Sequence, residues 1–209
     1  MAPSDSKDPF LRIPWTASLL SAPNLITRVP DSRLRKPSNE DSFFAITLKT
    51  PSTLRSCITV YRRPVPSDPY IPSVSTFITL GSALDGHPGI LHGGVVASLL
   101  DEGMGILQTV NVERDHLIAV GKGFAEGESP AGGLGGFTVF LNVKYLRPVR
   151  SGAAVQVVAW YVRREGRKSF VNAEVRQNVG GGEDDSGEVV VCASAEGLFV
   201  TPREGVSKL

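Results

Sequence analysis

The chain has 209 residues, 41% of them hydrophobic, which suffices for one domain with its own core and some length to spare. Its 22 basic and 21 acidic residues leave a net charge of +1, so nothing points to nucleic acid or an anionic membrane surface. No apolar run approaches the ~18–20 residues that span a bilayer, and Cys57, Cys192 and the three histidines lack the spacing of a zinc set.

Residues 1–40 mix proline with Ser, Asp, Lys and Arg. They read as an irregular, partly disordered arm laid over the domain through Phe10, Leu11, Ile13 and Trp15. Asp5, Asp8 and Asp31 interrupt the basic pattern that a mitochondrial presequence needs. A short helix capped by Asn39 is expected over Asn39–Leu48. Leu54–Arg63 sets Leu54, Ser56, Ile58 and Val60 against Arg55, Cys57, Thr59 and Tyr61, a strand pattern. Pro64, Pro66, Pro69 and Pro72 then force a loop, and Val74–Leu80 is a second strand ended by Gly81-Ser82. Leu84–Leu91 forms the loop that leads into the centre of the chain.

That centre begins at His92-Gly93-Gly94 and continues as a long helix. On a helical wheel Val95, Val96, Leu99, Leu100, Gly103, Met104, Ile106, Leu107 and Val110 fill one broad apolar arc. Gly94, Ser98, Asp101, Gly105 and Gln108 share the opposite face, with Asp101 above Gly94 at a rise of ~10 Å. An aspartate on a polar helix face is ordinarily solvated. Here the two glycines leave amide donors uncovered at the positive end of the helix, where a developing oxyanion is stabilised.

Asn111–Gly136 is rich in glycine and reads as a flexible excursion, a lid or channel wall. Phe137–Tyr145 then alternates, which sets Thr138, Asn142 and Lys144 on one face. Ala153–Arg164 and Lys168–Gln177 form a hairpin turned at Glu165-Gly166. Gly180–Asp185 is a surface loop with a solvated acidic end, and Gly187–Val200 is the last strand. Two strands, a long helix and four strands make an α+β arrangement in which a sheet wraps the helix. The expected division is an arm at 1–40, a domain at 41–202 and a tail at 203–209.

His92-Gly93-Gly94 with Asp101 as the ninth residue after the histidine, and the strand Gly136–Pro148 beyond it, resemble the hotdog-fold acyl-CoA thioesterases of the phenylacetate-pathway type. The resemblance covers roughly residues 55–200 in layout. It implies an antiparallel sheet wrapped around one long central helix, and hydrolysis of acyl-CoA thioesters to free acid and CoA without metal or organic cofactor. Gly93 and Gly94 would polarise the carbonyl, and Asp101 would act as general base or nucleophile. In relatives a Ser or Thr at the place of Thr138 reaches the catalytic carboxylate of the neighbouring subunit. A homodimer or a dimer of dimers follows, with strand 137–146 along the joint.

Glu102 is the rival base, expected to project to the side of the polar face and to be solvated. His92 is a second rival, expected to shape the turn and to lie with the substrate. Asn142, Lys144, Arg147 and Arg150 complete the expected substrate-binding set, the cations pairing with CoA phosphates. Relatives often carry Asn or Gln about six residues before His-Gly-Gly; Gly86 stands there, between Asp85 and His87. The alternatives are a non-catalytic acyl-CoA-binding hotdog protein, which has no need of Asp101, and a hotdog hydratase, whose Asp-x-Asn-x-x-His run is missing. Ser207-Lys208-Leu209 matches the address read by the peroxisomal import receptor, so a peroxisomal matrix enzyme is expected.

Overall fold

The structure is a computed structural model, and it describes residues 5–127, 136–180 and 187–203. The expected address Ser207-Lys208-Leu209, the far part of the glycine-rich excursion and the acidic end of the loop after Gly180 lie outside the described residues.

Among the described residues, seven antiparallel strands form one sheet: β1 (Leu25–Arg28), β2 (Leu54–Arg62), β3 (Ser73–Leu80), β6 (Phe137–Tyr145), β7 (Ala154–Glu165), β8 (Lys168–Asn178) and β9 (Val189–Val200). Their spatial order is β1-β2-β3-β7-β8-β9-β6, so β6 ends the sheet at one side and β1 at the other. One 29-residue helix, α3 (Gly93–Gly121), lies against one face. This is the hotdog arrangement.

Side-chain size decides how closely the helix approaches. Val96, Leu99, Leu100, Met104 and Leu107 of α3 meet Val155, Val157, Ala159, Ala173, Val175, Ala193 and Ala195, all buried. Each large side chain buried this way contributes ~1.5–3 kcal/mol. Alanines and glycines make the room. A Cβ on Gly103 would stand 2.6 Å from Val157 Cγ1, and one on Gly197 would stand 2.7 Å from Met104 Sδ.

Three expectations change. The helix continues beyond Val110 to Gly121, where an excursion from Asn111 was expected. Asn111 is buried, and its side chain accepts from Ile71 N at 2.8 Å and donates to Ile71 O at 3.0 Å, tying α3 to the proline loop. The lead-in loop folds into a small hairpin, β4 (Asp85–His87) and β5 (Ile90–Leu91), turned at Gly89 with φ +72°.

The third change is the arm. It carries α1 (Asp8–Leu11), α2 (Pro14–Leu20) and β1, with prolines in the first helical turns, where an N–H is dispensable. Phe10 and Leu20 pack with Ile58, Val60 and Phe77 on the sheet face opposite α3. Arg33, 1% exposed, pins the segment that follows. It donates to Phe44 O and Leu54 O at 3.0 Å each and to Asp5 Oδ1 at 3.1 Å. Asn39–Leu48 holds a single short helical turn at Phe43–Thr47.

Candidate active site

The start of α3 is built around the His92 ring. His92 is the extended cap residue, and its Nδ1 accepts from Gly94 N at 3.0 Å. Its carbonyl accepts from Val95 N and Val96 N at 2.9 and 3.1 Å. Gly86 lies against it: a Cβ there would stand 3.0 Å from His92 Cα and 3.1 Å from Cδ2. A glycine at that spacing therefore accommodates the histidine, and brings no side chain of its own to the site.

Capping has a consequence for the amides. Gly94 N–H is engaged by the His92 ring, whereas Gly93 N–H has no partner among the described residues. Gly93 O accepts from Tyr145 Oη at 3.0 Å, so β6 holds the first turn of the helix in place. Sequence reasoning missed Tyr145, although it shares the inward alternation of Leu141 and Val143.

Two turns along, Asp101 is half-buried, and Thr138 Oγ1 donates to its Oδ1 at 2.9 Å. Burial pushes the Asp101 carboxyl above its ordinary range, and the Thr138 bond holds it back. The bond joins two residues of the same chain. The resemblance had implied that Thr138 reaches the neighbouring subunit's carboxylate; the contact is instead made within one chain.

A bulge between Thr138 and Phe140 explains which residues of β6 reach α3. Thr138 is paired with buried Phe199 and faces the helix. The extra residue shifts the alternation, so Leu141 and Tyr145 face inward opposite Gly197 and Ala193. Asn142 and Lys144 then turn outward, opposite Glu196 and Ser194. They line a shallow depression with Trp160 and Asn172, and Lys144 Nζ stands 3.9 Å from Glu196 Oε1. The expected shared face of Thr138, Asn142 and Lys144 is thus corrected: a one-residue slip separates them. Arg147 and Arg150 are exposed. Arg147 donates to Val191 O at 3.3 Å, while Arg150 lies beside Ile90, just ahead of the helix start.

Glu102 is the other correction. It is partly buried rather than solvated and accepts a hydrogen bond from Ser32 Oγ of the arm. Burial, the largest cause, pushes its carboxyl up to about 7; the Ser32 bond opposes this, and the charges of Asp41 and Asp101 add to it. Nothing local in the sequence announces this, because Ser32 lies 70 residues away.

Glu102, Gly105, Gln108, Gly136, Arg28 and Ser32 line a cavity of about 160 Å³ that opens one helical turn beyond Asp101, at Gly105. Gln108 is 3% exposed, and its Oε1 has no hydrogen-bond partner among the described residues. The arrangement joins an amide donor at a helix N-terminus, a carboxylate of raised basicity and a polar cavity, which suits attack on a carbonyl.

Residues 88–182 match the family model of the thioesterase superfamily. Verlamelin biosynthesis protein B of Lecanicillium sp is 29% identical over 175 residues, 77% of this chain and 73% of that protein. Among solved structures, a thioesterase superfamily protein is 28% identical with a TM-score of 0.43, over 61% of this chain and 51% of that one. The chain thus spans about half the length of that protein. A phenylacetic acid degradation-related protein from Ralstonia eutropha JMP134 is 19% identical with a TM-score of 0.44, over 62% of this chain and 76% of that one.

Proposed function

Residues 88–182 match the thioesterase superfamily, and from that match we propose that the chain belongs to it and hydrolyses acyl-CoA thioesters to free acid and CoA, in the manner of the phenylacetate-pathway type. The observation that carries this reading is the Asp101–Thr138 pair, which lies about two turns along α3 from the open Gly93 amide, a rise of ~12 Å. Because that rise keeps Gly93 and Asp101 of one chain from sharing a carbonyl, the Gly93 N–H and helix dipole of a second, paired chain take the charge that develops on the thioester oxygen. Asp101 either accepts a proton from the water that attacks, or attacks the carbonyl itself and forms a mixed anhydride that water then cleaves. In both routes the C–S bond breaks and CoA leaves as thiolate, which takes up a proton. Neither route calls on a metal or an organic cofactor.

A binding module that kept only the fold would have no use for a half-buried carboxylate at this place. The exposed apolar residues Phe137, Val139 and Phe140 on terminal strand β6 suit pairing of two chains along that strand, as a homodimer or a dimer of dimers. Arg150 and Arg147 remain the cations proposed for CoA phosphates, whereas Lys144 on the outward face would need a second chain to bring it near. A peroxisomal address, which Ser207-Lys208-Leu209 supplies when it stands at a free C-terminus, belongs to the same proposal.

The test is release of free thiol from a panel of acyl-CoAs by the purified protein. Turnover of at least one acyl-CoA is expected, and none across the panel contradicts the reading. A single turnover in oxygen-18 water then separates the routes, since label recovered in Asp101 identifies the anhydride.

A further inference from the structure

Where the cavity lined by Glu102 and Gly105 ends, a second and larger space begins. It is an open groove of about 810 Å³ between the proline loop and the last turns of α3. Val65, Leu117 and Ile118, three exposed large hydrophobic residues, border it together with Ile26 and Ile71. Arg28 and Val110 line both spaces. The path along α3 therefore passes from a chamber lined mainly by polar side chains to a groove whose surface is mostly apolar, with Asp68, Arg114, Asp115 and Lys122 also on its border.

An ion pair stands at the junction. Arg28 of β1 and Glu113 of α3 meet in two-pronged fashion, through Nη1 to Oε2 and through Nη2 to Oε1 at 2.9 Å. Their side chains are 28% and 22% exposed. Glu113 lies eleven residues beyond Glu102 on the helix, a rise of ~16 Å. With both partners half-buried and mutually satisfied, an apolar chain cannot pass without stripping the charges of each other or of water, which is costly.

We propose that the Arg28–Glu113 pair sets the acyl-chain length this protein accepts, by closing the cavity at Glu102 and Gly105, one turn beyond Asp101, off from the apolar groove. The inference rests on the thioesterase reading above. A short acyl group fits the first chamber, which at ~30 Å³ for a group the size of a water holds about five such groups. A longer chain has to part the pair and lay its far end in the groove against Leu117 and Ile118. Because Arg28 belongs to the arm, length selection is a property of the arm rather than of the helix and sheet alone.

The experiment measures kcat/KM for straight-chain acyl-CoAs from acetyl to palmitoyl with the full-length protein. The wild type is expected to favour butyryl-CoA over palmitoyl-CoA by ~10-fold or more. Arg28→Ala and Glu113→Ala should each shift the palmitoyl-to-butyryl ratio upward by ~10-fold. Arg28→Lys and Glu113→Gln, which keep the packing but lose the two-pronged geometry, should shift it in the same direction, and the swapped pair Arg28→Glu with Glu113→Arg should bring it back. An unchanged ratio in variants that still hydrolyse butyryl-CoA overturns the gate and leaves the thioesterase reading standing. So does a wild type that takes palmitoyl-CoA as readily as butyryl-CoA. A wild type inert toward every acyl-CoA overturns both.

Discussion

Thr138 Oγ1 donates to Asp101 Oδ1 across 2.9 Å within a single chain, and a bulge in β6 makes that contact. The hydroxyl stabilises the charged carboxylate, against a burial that favours the neutral one. Removing it in Thr138→Ala should raise the Asp101 pKa further and shift the acid limb of the kcat/KM profile to higher pH. The plateau should fall about 10-fold at most, since a neutral hydrogen bond is worth ~0.5–1.5 kcal/mol. Thr138→Ser should keep the wild-type profile. Because the pair is closed within one chain, mixing Asp101→Asn chains with Thr138→Ala chains should give only the average of the two parents; recovery to half the wild-type activity would mean the pair forms between chains.

Much of this site is written in short-range pattern. The His92-Gly93-Gly94 turn, the apolar arc from Val95 to Val110 and the strands after Phe137 all follow from spacing that can be counted along the chain. What escaped is contact between distant segments. β1 exists only because Leu25 and Arg28 pair with Arg62 and Thr59, and Glu102 is buried only because the arm brings Ser32 over it. The bulge after Thr138 is equally silent, because a strict period of two assigns Asn142 and Lys144 to the wrong face. The helix end is hidden for a related reason: Asn111 looks like a breaker until Ile71 receives its side chain.

Glu102 makes stability depend on pH. Its folded-state value of about 7 lies above the ordinary 4.5, so the folded protein keeps a proton that the unfolded chain has lost between those values. The contribution of the neutral carboxyl is fully present below 4.5 and is lost as pH rises toward about 7. Glu102→Gln should flatten that part of the stability profile and raise stability above it by more than about 1 kcal/mol. Urea midpoints measured from acid to mildly alkaline pH give the comparison.

Two glycines two residues apart on α3 should respond oppositely. Gly103→Ala forces a methyl to 2.6 Å from Val157 in the core, and overpacking of that kind costs ~1–3 kcal/mol against a helix gain of ~1 kcal/mol. Gly105→Ala meets nothing within 4 Å and should stabilise the protein by ~0.5–1 kcal/mol. Chemical denaturation of the two variants side by side checks the sign of each.

Arg33 anchors the arm through two carbonyls and Asp5, all away from water. Arg33→Ala leaves those acceptors buried, with Lys49 as the remaining ion-pair partner of Asp5. A loss of about 3–5 kcal/mol is expected. Protease cleavage within residues 20–40 should become faster, reporting release of the arm.

The most direct measurement concerns Asp101. Asp101→Asn keeps the shape and polarity of the side chain but can neither accept a proton nor attack a carbonyl. Hydrolysis of the best acyl-CoA substrate should fall by ~10²–10⁴-fold. Affinity for a non-hydrolysable thioether analogue of that substrate, measured on the same preparation, should stay near that of the wild type, because Gly93 and the cavity beyond it are untouched. An Asp101→Asn protein that binds the analogue and releases thiol at the wild-type rate would contradict the assignment of the chemistry to this carboxylate.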